Sequence, residues 1–407
     1  MAAIESLRLM DICAEYGKAS YQKAVSLRLS ETSLPPPICH SDVPVGFQAE
    51  LRVIAQRMVE AMTNQVVIPW NSRSYGASIG KQSGDDPEFE ARLQEQFVPL
   101  AGFQPTNRPF SLIDDSEELV FLYLPDMLLP ERQAAIANAV LLSSDAIAAH
   151  PPKPDNIGKT SRWRNSRYLF ARNDELEFGR GMITLSPGWL AQGQESYNDP
   201  LYVSRDLAAR PGGADNAAQV SAQAWLGANF ETGLLLSTAL AIAHPAQYHE
   251  TRQALGYLAT LQDFGRHMEA WTFAFNAVTL ICNRLTPLHR DRSSGGAEFL
   301  DLLLSIGGGP RTILSLPGLG IQVQYDSGAV AMFSGHQHLH EVWGFDQERA
   351  CVACYAKAPV IRWLGRRHPS PPSGSATLPE GWWQALANIP GVRRYGVKTD
   401  GSASQRV

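Results

Sequence analysis

The chain has 407 residues, 44% hydrophobic and 18% charged, which excludes global disorder and allows a sizeable core in one large domain or two modest ones. A formal net charge of −5 excludes coating of nucleic acid by overall charge, though not a local basic groove. The five cysteines, an odd number at scattered positions, fit a reducing compartment better than a disulfide scaffold.

The opening MAAIESLRLM lacks the basic and apolar regions of a secretory signal, and no apolar run approaches the ~18 residues of a membrane helix. Helical spacing of apolar residues predicts helices over Glu50–Met62 and over the segment after Pro130. The Pro-, Gly- and Asn-rich stretch 65–110 between them reads as loop, and His150–Lys159 as a connector. Residues 160–213 read as short strands and turns. Residues 217–263 return to helix, with the apolar NFETGLLLSTALAIAH placed behind a sheet.

From Trp271 onward the pattern is β: short runs broken by Gly, Pro or Asp, with Ile321, Val323 and Tyr325 alternating with polar residues. Such spacing predicts a compact barrel or jelly roll. SIGGGPRT has no Lys-Ser/Thr of a phosphate loop and reads as a hairpin turn. Cys351 and Cys354 read as buried small hydrophobes, and Gly381–Val392 as a short docking helix after a linker-like tail. The expected organisation is a mainly helical region over 1–150, a β-rich domain over 151–365 and a linker and tail over 366–407.

Chemistry concentrates at His289-Arg290-Asp291. In an extended chain residues i and i+2 share a face, so His289 and Asp291 can reach one ion. A second cluster, His336, His338 and His340, supplies a third ligand. Together they match the two-histidine, one-carboxylate triad of non-haem Fe(II) oxygenases, which leaves one face of the metal open. Spacing alone does not separate the three histidines; His340 is preferred because it opens a fresh β run, HEVW, after the turn at Ser334–Gly335. A zinc site built from all three is the alternative, but it leaves His289 and Asp291 without a role. Arg349, in the next strand, can hold a carboxylate bidentately, as a 2-oxoglutarate cosubstrate requires.

Residues 276–360 resemble the TET/JBP dioxygenases, through NRLTPLHRD (Asn283–Asp291), GAVAMFSGHQHLHEV (Gly328–Val342) and RACVACYAK (Arg349–Lys357). The chain is similar to fungal members of that family. The resemblance implies an α+β fold with a double-stranded β-helix core flanked by helices. It implies Fe(II) on His289, Asp291 and His340, 2-oxoglutarate on Arg349 with Arg284 nearby, Cys351 where a helper serine often stands, and O2 as co-reactant. Tyr355 matches the aromatic that stacks on a flipped base.

Two base-reading positions depart from the family: Ser294 replaces an Asp or Asn, and Lys357 replaces a His. Lysine only donates, whereas neutral histidine also accepts, so the expected substrates are 5-methylcytosine, oxidised to 5-hydroxymethylcytosine and beyond, or N6-methyladenine, demethylated. Asp326-Ser327-Gly328 reads first as a plain turn, with Asp326 the candidate that could accept from an adenine amino group. Basic and aromatic residues interleave over Lys159–Arg172, where Arg162 and Arg164 are candidate DNA contacts. The expectation is therefore a monomeric dioxygenase on methylated duplex DNA, nuclear by virtue of its substrate and without membrane association. An oxygenase of RNA, protein or a small molecule, and a non-catalytic reader of modified DNA, are the alternatives.

Overall fold

A computed structural model describes residues 2–30, 34–80, 82, 84, 86–101, 106–154, 160–172, 176–191, 193, 195–210, 212–292 and 294–395. In chain order it has helices α1 (Ala2–Arg28) and α2 (Val45–Met62), strand β1 (Gln65–Val67), helices α3 (Ser72–Ile79) and α4 (Pro87–Gln96), strands β2 (Phe110–Ile113) and β3 (Leu119–Leu124), and helices α5 (Pro130–Leu141) and α6 (Ser144–Ala148). Two short 3-10 helices (Thr160–Asn165, Arg167–Leu169) precede β4 (Gly181–Leu185). Helices α7 (Ala217–Ala228), α8 (Phe230–Ala243) and α9 (Pro245–Thr260) follow. The β-rich part is β5 (Ala277–Cys282), β6 (Thr286–His289), β7 (Asp301–Gly307), β8 (Ile313–Leu316), β9 (Ile321–Gln324), β10 (Val330–Phe333), β11 (His340–Trp343) and β12 (Arg349–Tyr355). Helices α10 (Ala358–Trp363) and α11 (Trp382–Ala387) and strand β13 (Arg393–Tyr395) close the described chain.

The strands form a nine-stranded sheet, β13-β1-β2-β3-β10-β7-β12-β5-β4, and a four-stranded sheet, β6-β11-β8-β9. Successive residues of a strand point to opposite faces, and the large sheet uses both. Val278, Leu280 and Cys282 of β5, Leu302, Leu304 and Ile306 of β7, and Ala350, Val352 and Cys354 of β12 enter the core shared with the helices. The residues between them, Thr279, Asp301, Leu303, Cys351 and Tyr355 among them, turn to the other face and line a cavity. Helix α8 is buried from Thr232 to Ala243, as its unbroken apolar run predicts for a helix behind a sheet. Among the described residues no single helix is long and apolar enough to cross a membrane.

The stretch 65–110 is not loop: it carries β1, α3 and α4. Its helices are short and weakly patterned, but their caps are in the sequence. Asn71 accepts from Ser74 N at 3.0 Å, and Asp86 accepts from Phe89 N at 3.0 Å with Pro87 in the first turn. The first 150 residues are also more than helical cover, since β1, β2 and β3 extend the large sheet. SIGGGPRT joins β7 to β8, which belong to different sheets, so it is a crossing connection rather than a hairpin. Gly307 permits it at φ 71°, where a Cβ would overlap the Glu348 carbonyl. The tail after 366 contributes α11, with Trp383 buried, and β13, which pairs parallel to β1.

Candidate active site

Strands β6 and β11 pair antiparallel with His289 directly opposite His340, and their rings lie 4.2 Å apart. Asp291 follows the end of β6, fixed by its N–H to the Gly335 carbonyl at 2.8 Å. Its Oδ1 is 3.4 Å from His289 Nε2 and its Oδ2 is 3.6 Å from His340 Nε2. Among the described residues this trio is the group whose ligand atoms converge, all within 4.8 Å of one another. Gly335 is required there, because a Cβ would come within 2.7 Å of Asp301 Oδ2 and 3.6 Å of Asp291 Oδ2.

The histidines are oriented for ligation. Nδ1 of His289 donates to the Pro287 carbonyl at 2.8 Å and Nδ1 of His340 donates to the His338 carbonyl at 3.0 Å, which leaves both Nε2 atoms facing Asp291. Burial, with His340 adding, pulls His289 down to about 4, so it is a neutral donor at physiological pH. Burial opposes ionisation of Asp291, but His289 and His340 hold its carboxyl well below the usual range. Two imidazole nitrogens and one carboxylate oxygen suit Fe(II). His338 is elsewhere, stacked on Tyr75 at 5.3 Å, which removes the three-histidine zinc arrangement.

Arg290 points away from the trio. Its guanidinium donates to Glu90 of α4 at 2.8 Å, to Tyr75 Oη at 3.3 Å and to the Gln337 carbonyl at 2.7 Å. One side chain thereby ties the His289 strand, the loop before His340 and an N-terminal helix together.

The trio opens into a cavity of about 610 Å³. At one end stand two buried arginines. Arg349 is 1% exposed, lies 5.2 Å over the Tyr325 ring, and has no hydrogen-bond partner for Nε or Nη2. Arg284, lowered to about 10 by burial and then by Arg164, leaves its Nε unpartnered while Nη1 bonds the Arg164 carbonyl at 3.1 Å. A buried donor without an acceptor is costly, so this end is built for an anion. Cys351, beside Arg349 on β12, has its Sγ 3.7 Å from Tyr325 Oη.

The other walls are hydroxyl-bearing and apolar. Thr184 on β4, Thr279 on β5 and Tyr355 on β12 make a chain of contacts, 2.9 Å between the threonines and 3.3 Å from Thr279 to the phenol. Burial pushes the Tyr355 phenol up to about 12, so it stays protonated. Ser294 lines the cavity and donates to the Asp291 carbonyl at 2.9 Å. Asp301 is also on the wall, its carboxyl held well above the usual range by burial and by Asp291.

The structure thus gathers His289, Asp291, His340, Arg349, Arg284, Cys351, Tyr355, Ser294 and Arg164 around one cavity. It does not bring Lys357 or Asp326 there. β12 ends at Tyr355, and Lys357 lies at the start of α10 with its ammonium 3.7 Å over the Trp189 ring. Asp326 opens the turn between β9 and β10, where Oδ1 accepts from Ser327 N at 2.7 Å. Arg164, expected to face DNA, bonds Asp291 instead, at 2.7 Å. The Arg162 side chain lies outside the described residues. No motif in the sequence marks Glu90, Thr184, Thr279 or Asp301, and Trp163, one of the aromatics of the basic stretch, packs on His289. Alternation could have found Thr279, which pairs with Ala353 two residues before Tyr355.

No protein-family model and no curated protein matches the chain. Among solved structures, NgTET1 in complex with 5mC DNA is similar over 72% of this chain and 93% of that one, at 14% identity and TM-score 0.39. A 2OG-Fe(II) oxygenase-family oxidoreductase from Burkholderia pseudomallei is similar over 26% of this chain and 57% of that one, at 15% identity and TM-score 0.17. Likenesses this distant assign neither activity nor substrate, and the functional reading rests on the site's own residues.

Proposed function

We propose that this chain is an Fe(II)- and 2-oxoglutarate-dependent dioxygenase, built on a double-stranded β-helix, that oxidises the methyl group of a base flipped from duplex DNA. The observation that carries the reading is one cavity holding both a two-histidine, one-aspartate trio and two buried guanidinium groups with unpartnered N–H donors. His289, Asp291 and His340 would hold the iron, and Arg349 with Arg284 the cosubstrate's carboxylates. Bound there, iron and 2-oxoglutarate supply the power to hydroxylate a C–H bond with O2, releasing succinate and CO2.

The protein's own work is positioning and exclusion of water. Backbone carbonyls hold both imidazoles in one tautomer. Met182, Ile281 and Leu303 give the cavity apolar walls, where the attraction between guanidinium and carboxylate is less screened than in water. The Tyr355 ring offers a face for an extruded base, whose unstacking costs a few kcal/mol. Arg167, Tyr168 and Arg172 are exposed on the segment that carries Trp163 and Arg164, and support phosphate contact.

With Lys357 and Asp326 outside the cavity, the hydroxyls of Ser294, Thr184 and Thr279 are left to meet the base edge. Hydroxyls donate and accept, so they admit 5-methylcytosine and N6-methyladenine alike. The same reading makes the protein a nuclear monomer.

Nucleoside mass spectrometry with Fe(II), 2-oxoglutarate and two duplexes, one per methylated base, tests this. Wild type should consume at least one base and form succinate, and His340→Ala should do neither. Succinate without base loss moves the activity to another substrate. Neither product in wild type sinks the enzyme reading and leaves a reader of modified DNA.

A further inference from the structure

We propose that Arg164 is a positioning residue for the metal centre: it holds the Asp291 carboxylate through Oδ1, so that the carboxylate keeps the orientation in which it faces both histidines. The inference rests on the reading of His289, Asp291 and His340 as metal ligands.

The three ligands are not equally constrained. Each histidine is pinned through Nδ1 to the carbonyl two residues before it, and its side chain is 9% exposed for His289 and 5% for His340. Asp291 stands past the end of β6 with a side chain 39% exposed. It is the ligand most free to rotate.

Arg164 removes that freedom. Its Nη2 donates to Asp291 Oδ1 at 2.7 Å, a charge-assisted bond, with Oδ1 3.4 Å from His289 Nε2 and Oδ2 3.6 Å from His340 Nε2. The guanidinium is itself held in place. It lies 4.6 Å over the Trp163 ring, and the same ring takes Arg284 at 5.2 Å and packs edge-on against His289 at 4.6 Å. Trp163 thus sets the arginine relative to one ligand, and the arginine sets the other. The positive charge opposes a cation, but outer partners that fix a ligand's orientation are typically worth roughly 10–100-fold in metal affinity, so positioning prevails.

The test is Mn(II) binding to the full chain, with free Mn(II) read from its electron paramagnetic resonance signal and folding checked by circular dichroism. Arg164→Met, which keeps an apolar stem against Trp163, should weaken Mn(II) binding roughly 10–100-fold. Arg164→Lys should recover part of that loss, since an ammonium can hold Oδ1 but lacks the planar fork. Binding by Arg164→Met equal to or tighter than wild type overturns the proposal, and loss of binding in Asp291→Ala would then leave the metal reading standing. Wild-type affinity in Asp291→Ala, or no binding by wild type, overturns both.

Discussion

Around Arg290, between α4 and the four-stranded sheet, a buried guanidinium meets Glu90, Tyr75 and the Gln337 carbonyl. Around Arg349, inside the cavity, a guanidinium just as buried leaves Nε and Nη2 without a partner. The chain has met the cost of burying charge in one region and left it outstanding in the other. A buried arginine whose donors are all matched is part of the scaffold. One whose donors are left open is a place for an anion from outside.

The contrast breaks first at Glu90. Glu90→Ala strands the Arg290 charge in the interior and should cost about 3–5 kcal/mol. Denaturant unfolding of the ligand-free protein measures it, and a loss below about 1 kcal/mol would put Arg290 on a level with a surface pair. Arg349→Met should act with the opposite sign. It removes an unpartnered buried cation and should stabilise the ligand-free protein by about 1–3 kcal/mol. It should also abolish the rise in unfolding midpoint that 2-oxoglutarate gives wild type in the presence of Mn(II). Destabilisation by Arg349→Met would mean that its charge is satisfied by the fold.

The difference between these two regions was half legible in the sequence. His289, Asp291 and His340 could be found because period two puts i and i+2 on one face and because a β run begins at His340. The same period hid Arg290, which sits between two ligands and points to the opposite side, where its partner is 200 residues away. No local pattern marks such a pairing. Asp326 and Lys357 failed for a related reason: spacing says which face a residue takes only while the strand lasts, and β9 and β12 end at Gln324 and Tyr355. The large sheet was under-read because β1 and β13 are three residues each and pair only with each other and with β2, a contact that tertiary structure supplies. Arg164 could be seen as a cation but not as the partner of Asp291, since that contact spans 127 residues.

Acid should sharpen the comparison by the smallest margin. Each region buries a histidine: His338 beside Arg290, lowered to about 3 by burial and then by Arg290, and His289 in the cavity, lowered to about 4 by burial and then by His340. Both folded values lie below the unfolded value of 6.5, so the unfolded chain takes up protons first. Each contribution is therefore complete above about pH 6.5 and declines on acidification, until about pH 4 for His289 and about pH 3 for His338. At pH 5.5 each site costs about 1.2 kcal/mol relative to pH 7. His338→Phe keeps a ring against Tyr75 and abandons an Nδ1 that has no partner, so it should remove one such contribution while leaving the cavity intact. Mn(II) should offset only the other, because a metal competes with protons at His289 and never meets His338. Unfolding free energies at pH 7 and 5.5, with and without Mn(II), separate the two, and an acid response unchanged by His338→Phe would mean that this histidine does not titrate on unfolding.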